Sequence, residues 1–157
     1  MANGFPVAAI AGRAEIMDLC AHGVVHGGTY NGQAVAMAAC VATLERLGQS
    51  GTYARLEEQG LRLMNGIRTR LTEAGIVAVV SGFPAIFHVA FGLTTAARNW
   101  NDLLGVDRQR YIAFTTALLG QGVRALERGA WFLSTEHDDA VIDATLEAVS
   151  SAARELA

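Results

Sequence analysis

The stretch His26-Gly27-Gly28-Thr29-Tyr30-Asn31-Gly32, followed at once by the alanine-rich run from Gln33 to Leu47, decides how this chain is read. From His22 to Gly32 four of the eleven positions are glycine, which disfavours both helix and strand. At Gln33 the pattern changes. Val35, Met37, Ala38, Val41, Ala42, Leu44 and Leu47 recur at helical spacing, and Gly48-Gln49-Ser50-Gly51 closes the helix. On composition alone, Gly28-Thr29 suits an ordinary turn before a helix.

Upstream, Phe5 to Ala11 is a short apolar run between turn residues and reads as a buried strand, with a short helix from Arg13 to Leu19. Downstream, Thr52 to Ala74 reads as a second long helix. Leu56, Gly60, Leu63, Ile67 and Leu71 form its inner stripe, Arg55, Glu58, Arg62 and Arg70 its solvated face, and Gly75 its C-terminal stop. The period then shortens. Ile76–Val80 and Ala85–Phe91 read as strands around a Ser81-Gly82-Phe83-Pro84 turn. A helix over Asp107–Leu119 ends at Gly120-Gln121-Gly122, and Val123–Leu126 and Trp131–Leu133 read as two further strands. Thr135-Glu136-His137-Asp138 has capping-box form and opens a last helix carrying Val141, Ile142, Thr145, Leu146 and Val149. From about Gly51 onward the elements suit a compact α+β unit with helices on one sheet face. Residues 1–48 do not balance in that way: a lone strand, a glycine loop and a helix resemble part of a larger layer.

The chain has 157 residues, of which 52% are apolar and 17% charged, enough for a substantial core. A net charge of -3 gives no footprint for nucleic acid, and no apolar run reaches the ~20 residues needed to cross a bilayer. Met1 to Pro6 carry no basic region, so a secretory signal is not expected. Cys20 and Cys40 have no metal-like spacing and read as buried reduced thiols, which makes the cytoplasm the default location. All 12 basic residues are arginine, so the chain has no lysine. Chemistry that needs an ε-amine to capture a carbonyl therefore has no side chain to carry it.

Two stretches together resemble the class III aminotransferases, a family dependent on pyridoxal 5'-phosphate. Ala2-Asn3-Gly4-Phe5-Pro6-Val7-Ala8-Ala9-Ile10-Ala11-Gly12-Arg13 is similar to the segment that follows the family's cofactor lysine. Laid on this chain, that lysine would fall two residues before Met1, so the resemblance implies a C-terminal fragment with no catalytic residue of its own. The second stretch, His26 to Gly32 with Ala36-Met37-Ala38-Ala39 behind it, resembles the family loop that binds the cofactor phosphate across a dimer interface. The resemblance assigns cofactor binding to Gly28 and Thr29. Glycines let backbone N–H groups approach a phosphate, the hydroxyl adds a donor, and a helix N-terminus follows. The family usually has asparagine and proline where this chain has Gln33 and Ala34.

A third match, Gly129-Ala130-Trp131-Phe132-Leu133-Ser134-Thr135-Glu136-His137, is similar to the glutamate-1-semialdehyde aminomutase branch. The implied fold is α/β fold-type I. Residues 1–48 would be the last piece of the large cofactor-binding domain and 49–157 the small α+β domain. The implied enzyme is a homodimer that moves an amino group between small molecules, without nucleic acid or membrane. Transaminase and aminomutase both remain open.

Other constellations have simpler readings. His22 and His26 stand four apart with no cysteine or carboxylate pattern beside them, which suits loop or core positions better than metal ligation. Glu136, Asp138 and Asp139 cluster where a helix dipole favours negative charge. Trp131, Phe132, Phe87 and Phe91 are expected in the core. Three functional readings stand: part of an aminotransferase, inactive alone; a binding or dimerisation module donating its loop to a partner subunit; and an unrelated α+β domain.

Overall fold

The computed structural model describes residues 1–157 and divides into two compact units, Met1–Thr52 and Tyr53–Ala157. The first unit holds a one-turn helix α1 (Ala14–Met17), continued by a 3₁₀ turn over Asp18–Ala21, and then α2 (Ala34–Leu47). Phe5 to Ala11 forms no strand, against the sequence expectation. A strand exists only through a ladder, and no segment of this unit pairs with this one. The unit also buries little. Among its side chains only Ala2 and Ala36 are buried, while Phe5, Ile10, Ile16, Leu19, Val25 and Leu44 are all at least half exposed. Cys20 is exposed and Cys40 half-buried, so the expectation of two buried thiols fails for the same lack of a core.

The second unit is built from α3 (Thr52–Glu73, whose first residue belongs to the other unit), β1 (Ala78–Phe83), β2 (Ile86–Phe91), α4 (Arg108–Gly120), β3 (Ala130–Phe132) and α5 (Asp139–Leu156). The stripe of α3 buries Leu63, Met64, Ile67 and Leu71. Its end is a Schellman turn: Gly75 takes φ +69, its N–H donates to the Thr72 carbonyl at 3.0 Å, and the Ile76 N–H donates to the Leu71 carbonyl at 2.9 Å. The same device ends α4 at Gly122, through Gly122 to Leu119 and Val123 to Leu118.

The strands form an antiparallel sheet in the order β1-β2-β3. Phe83 pairs with Ile86, so the hairpin turn is Pro84-Ala85, not the Ser81–Pro84 stretch that its glycine and proline suggested. Gly82 lies inside the strand at φ +130, where a Cβ would come within 2.8 Å of the Phe87 Cα. Val123–Leu126 is not a strand. Across from β1 it is β3 that pairs with β2, and the segment leaving Gly122 joins no ladder. The last helix starts at Asp139, later than its capping-box reading, because Asp138 is the cap and accepts from the Val141 N–H at 2.9 Å.

Helices α3, α4 and α5 cover the sheet face that carries Val80, Phe87, Val89, Phe91 and Trp131. Phe132, expected in the core, is 55% exposed because strand alternation turns it away from the Trp131 side. Phe91 is packed edge-on to Tyr111 and tilted against Phe114, both with centroids at 5.2 Å. The buried Tyr111 hydroxyl accepts from the Trp131 indole N–H at 2.9 Å. Burial pushes the Tyr111 phenol up to about 12, against a smaller downward pull from that hydrogen bond. The neutral phenol is thus favoured by folding. The associated stability is intact below about pH 10, where an unfolded tyrosine ionises, and is lost as pH rises toward about 12. The expected loss is about 2–3 kcal/mol over that window. Urea midpoints measured across it for the wild type and Tyr111→Phe should converge as pH rises.

Candidate functional site

The loop that carries the predicted residues is anchored on the 3₁₀ turn before it. The His22 and Val24 amides both donate to the Leu19 carbonyl at 3.1 Å, and Gly23 takes φ +101 to allow the reversal. The chain then runs without regular structure to a β-turn closed by the Asn31 N–H on the Gly28 carbonyl at 3.0 Å. Gly28 and Thr29 are consecutive in this turn. A Cβ at Gly28 would meet only the side chain of Asn31, with Oδ1 at 3.0 Å, so a larger residue there would crowd the turn until that side chain moved.

A second turn, Gln33 N–H to the Tyr30 carbonyl at 3.2 Å, brings the chain into α2. Here the departure at Gln33 acquires a role that no sequence pattern announces. Its side-chain oxygen accepts from the Ala36 amide at 2.6 Å and so caps the helix. Glutamine lies outside the usual capping set, which is why no pattern pointed to it. With Ala36 satisfied by the cap, the Ala34 and Val35 amides remain as first-turn donors without a carbonyl partner in the helix.

Residues Ala21 to Val35 are all exposed. Between Asp18 and Glu45 the chain has no carboxylate and no arginine. Nothing in the first turn of α2 opposes an anion, and the attraction available is the partial positive charge of the helix end. The arrangement offers neutral N–H and O–H donors from exposed backbone and from Thr29. His22 and His26 lie on the same exposed loop, and no cluster of three metal-ligating side chains forms anywhere in the chain. His137, read as a first-turn helix residue, stands just before the Asp138 cap. There its Nδ1 accepts from the Ser134 N–H at 3.0 Å.

The comparisons with known proteins agree with one another. Residues 1–149 match the model of the family described as aminotransferase class-III. The glutamate-1-semialdehyde 2,1-aminomutase of Methanothrix thermoacetophila is 37% identical over 150 residues, covering 93% of this chain and 34% of that protein. Among solved structures, an omega-transaminase from Sphaerobacter thermophilus superposes with a TM-score of 0.84 at 26% identity, over 99% of this chain and 36% of its own. A transaminase with PLP bound matches with a TM-score of 0.71 at 25% identity, over 85% of this chain and 30% of its own. This chain thus spans about a third of the length of these relatives. Its architecture is that of the fold-type I transaminases, and the chain belongs to the pyridoxal-phosphate-dependent class-III aminotransferase family.

Proposed function

We propose that this chain contributes the phosphate-binding loop and the small domain of a class-III aminotransferase or aminomutase, and that the lysine of the reaction lies outside it. The observation that carries the reading is the pair of first-turn amides, Ala34 and Val35, that the Gln33 cap leaves open at the start of α2 behind Gly28-Thr29, in a stretch with no carboxylate between Asp18 and Glu45. Thr29 Oγ1 and the amides of Ala34 and Val35 would hold the cofactor phosphate, with Gly28 letting the backbone come close. Pyridoxal phosphate supplies an aldehyde that exchanges amino groups and a ring that draws electrons from the reacting carbon. No side chain here is an amine, so this chain positions the cofactor and does not capture it. In this reading residues 1–48 complete a large domain and 49–157 form the small one. The assembled enzyme is a cytoplasmic homodimer acting on small amino-group donors and acceptors. The 37% identity to an aminomutase supports that branch over an ordinary transaminase.

A second reading, a non-catalytic module that docks on a partner subunit and lends it Thr29, is favoured by the apolar side chains that the first unit leaves exposed.

Equilibrium dialysis tests the phosphate assignment. The chain should bind pyridoxal phosphate in preference to pyridoxal, and Thr29→Ala should weaken the former about tenfold or more, the worth of one hydrogen bond to a charged group. Equal binding of the two compounds, or an unaffected Thr29→Ala variant, overturns it.

A further inference from the structure

Asparagine is followed directly by glycine at Asn3-Gly4, Asn31-Gly32 and Asn65-Gly66. In such a pair the asparagine side chain is open to attack by the next backbone nitrogen, because glycine adds no side chain to shield it. Asn3-Gly4 lies outside the loop described above. The other two pairs have exposed asparagines and opposite backbone settings.

Asn65 and Gly66 lie inside α3. There the Gly66 N–H belongs to the helix ladder, and the Asn65 Oδ1 accepts from Arg68 Nη1 at 2.6 Å. Asn31 and Gly32 sit in the irregular stretch between the 3₁₀ turn and α2. Gly32 takes φ +69 with open space where a side chain would stand. Its N–H makes no hydrogen bond within the chain, and neither does the Asn31 side chain. Nucleophile and target are therefore both free and both in water.

We propose that Asn31 is a site of spontaneous deamidation, which turns a neutral loop into an anionic one. The Gly32 nitrogen gives up its proton to the solvent and attacks Asn31 Cγ. The new C–N bond closes a succinimide ring, and the side-chain nitrogen takes up a proton and leaves as ammonia. Water then adds to either ring carbonyl and breaks a ring C–N bond, giving aspartate or isoaspartate. Water is the one co-reactant and ammonia the one product lost, so nothing is oxidised or reduced. The new carboxylate is the only one between Asp18 and Glu45, just ahead of the open Ala34 and Val35 amides. Isoaspartate also carries the main chain through the former side-chain carbon, which lengthens the path from Tyr30 to Gln33. An anion there repels a phosphate at the same amides. That consequence rests on the reading of the loop given above; the modification does not.

The test is to incubate the full chain in mildly alkaline buffer made with ¹⁸O-water and follow each asparagine by peptide mapping. Aspartate and isoaspartate, both carrying the label, should accumulate at position 31 at least about tenfold faster than at position 65, which must wait for α3 to open locally. In urea the two positions should react alike, and Gly32→Ala should slow the reaction at 31 severalfold. An intact Asn31, an Asn65 that keeps pace in the folded chain, or aspartate formed without isoaspartate overturns the proposal. Equilibrium dialysis judges the consequence: Asn31→Asp should bind pyridoxal phosphate about tenfold more weakly than the wild type, and Asn31→Gln should not. Equal binding by Asn31→Asp and the wild type overturns the effect of the charge. A wild type that binds no pyridoxal phosphate refutes the loop reading instead, and the peptide map still decides the modification.

Discussion

Replacing Phe91 by alanine is expected to remove a large part of the stability of the second unit, about 3–5 kcal/mol. The ring has no exposed surface and lies where the central strand meets α4, in contact distance of Tyr111 and Phe114. Its backbone is committed as well. Phe91 pairs with Ala78 in the ladder, and its carbonyl accepts from the Asp107 N–H at 2.9 Å, the bond that leads the chain into α4. The surroundings therefore cannot close on the cavity by moving the strand. A domain of this size has a total margin of about 5–15 kcal/mol, so the loss is a large fraction of it. With denaturant slopes of about 1–3 kcal/mol per molar urea, the midpoint should fall by at least about 1 M. A fall of less than about 0.3 M would show that this aromatic cluster is not the centre of the fold.

Gly60→Ala should destabilise the same unit, although alanine is the better helix former by about 1 kcal/mol. A Cβ at Gly60 falls on the carbonyl group of Pro84, which is backbone at the tip of the β1–β2 turn and has no rotamer by which to withdraw. Either α3 or the hairpin must shift, at an expected cost of about 1–3 kcal/mol. Gly66 gives the comparison. Its Cβ would meet Leu146 Cδ2 at 2.5 Å and Cδ1 at 2.8 Å, the end of a flexible side chain, so Gly66→Ala should cost clearly less. Thermal melts of the two variants decide the matter. A stabilised Gly60→Ala, or a larger penalty at Gly66, would contradict the close approach of α3 to the hairpin.

The elements that the sequence announced are those with local causes. The stops at Gly75 and Gly122 were legible because a left-handed residue after an apolar stripe is a property of a few neighbouring positions. The long helix α3 was legible from its own periodicity. What failed depends on distant partners. Phe5–Ala11 has the composition of a strand and nothing to pair with, and Val123–Leu126 is similar but is passed over in favour of β3. The hairpin turn was misplaced because Gly82 signals close approach of Phe87, where a glycine beside a proline suggests a reversal. At the candidate site, Gly28 and Thr29 rested on the family resemblance. The capping by Gln33 was invisible, since the side chain does what a shorter polar residue commonly does.

The central claim, that the turn before α2 receives the phosphate of the cofactor, is tested most directly by amide-resolved NMR. Pyridoxal phosphate and inorganic phosphate should each move the signals of Gly28, Thr29, Ala34 and Val35, pyridoxal should not, and Thr29→Ala should weaken the response. Shifts that fall outside this loop, or that pyridoxal reproduces, would contradict the account.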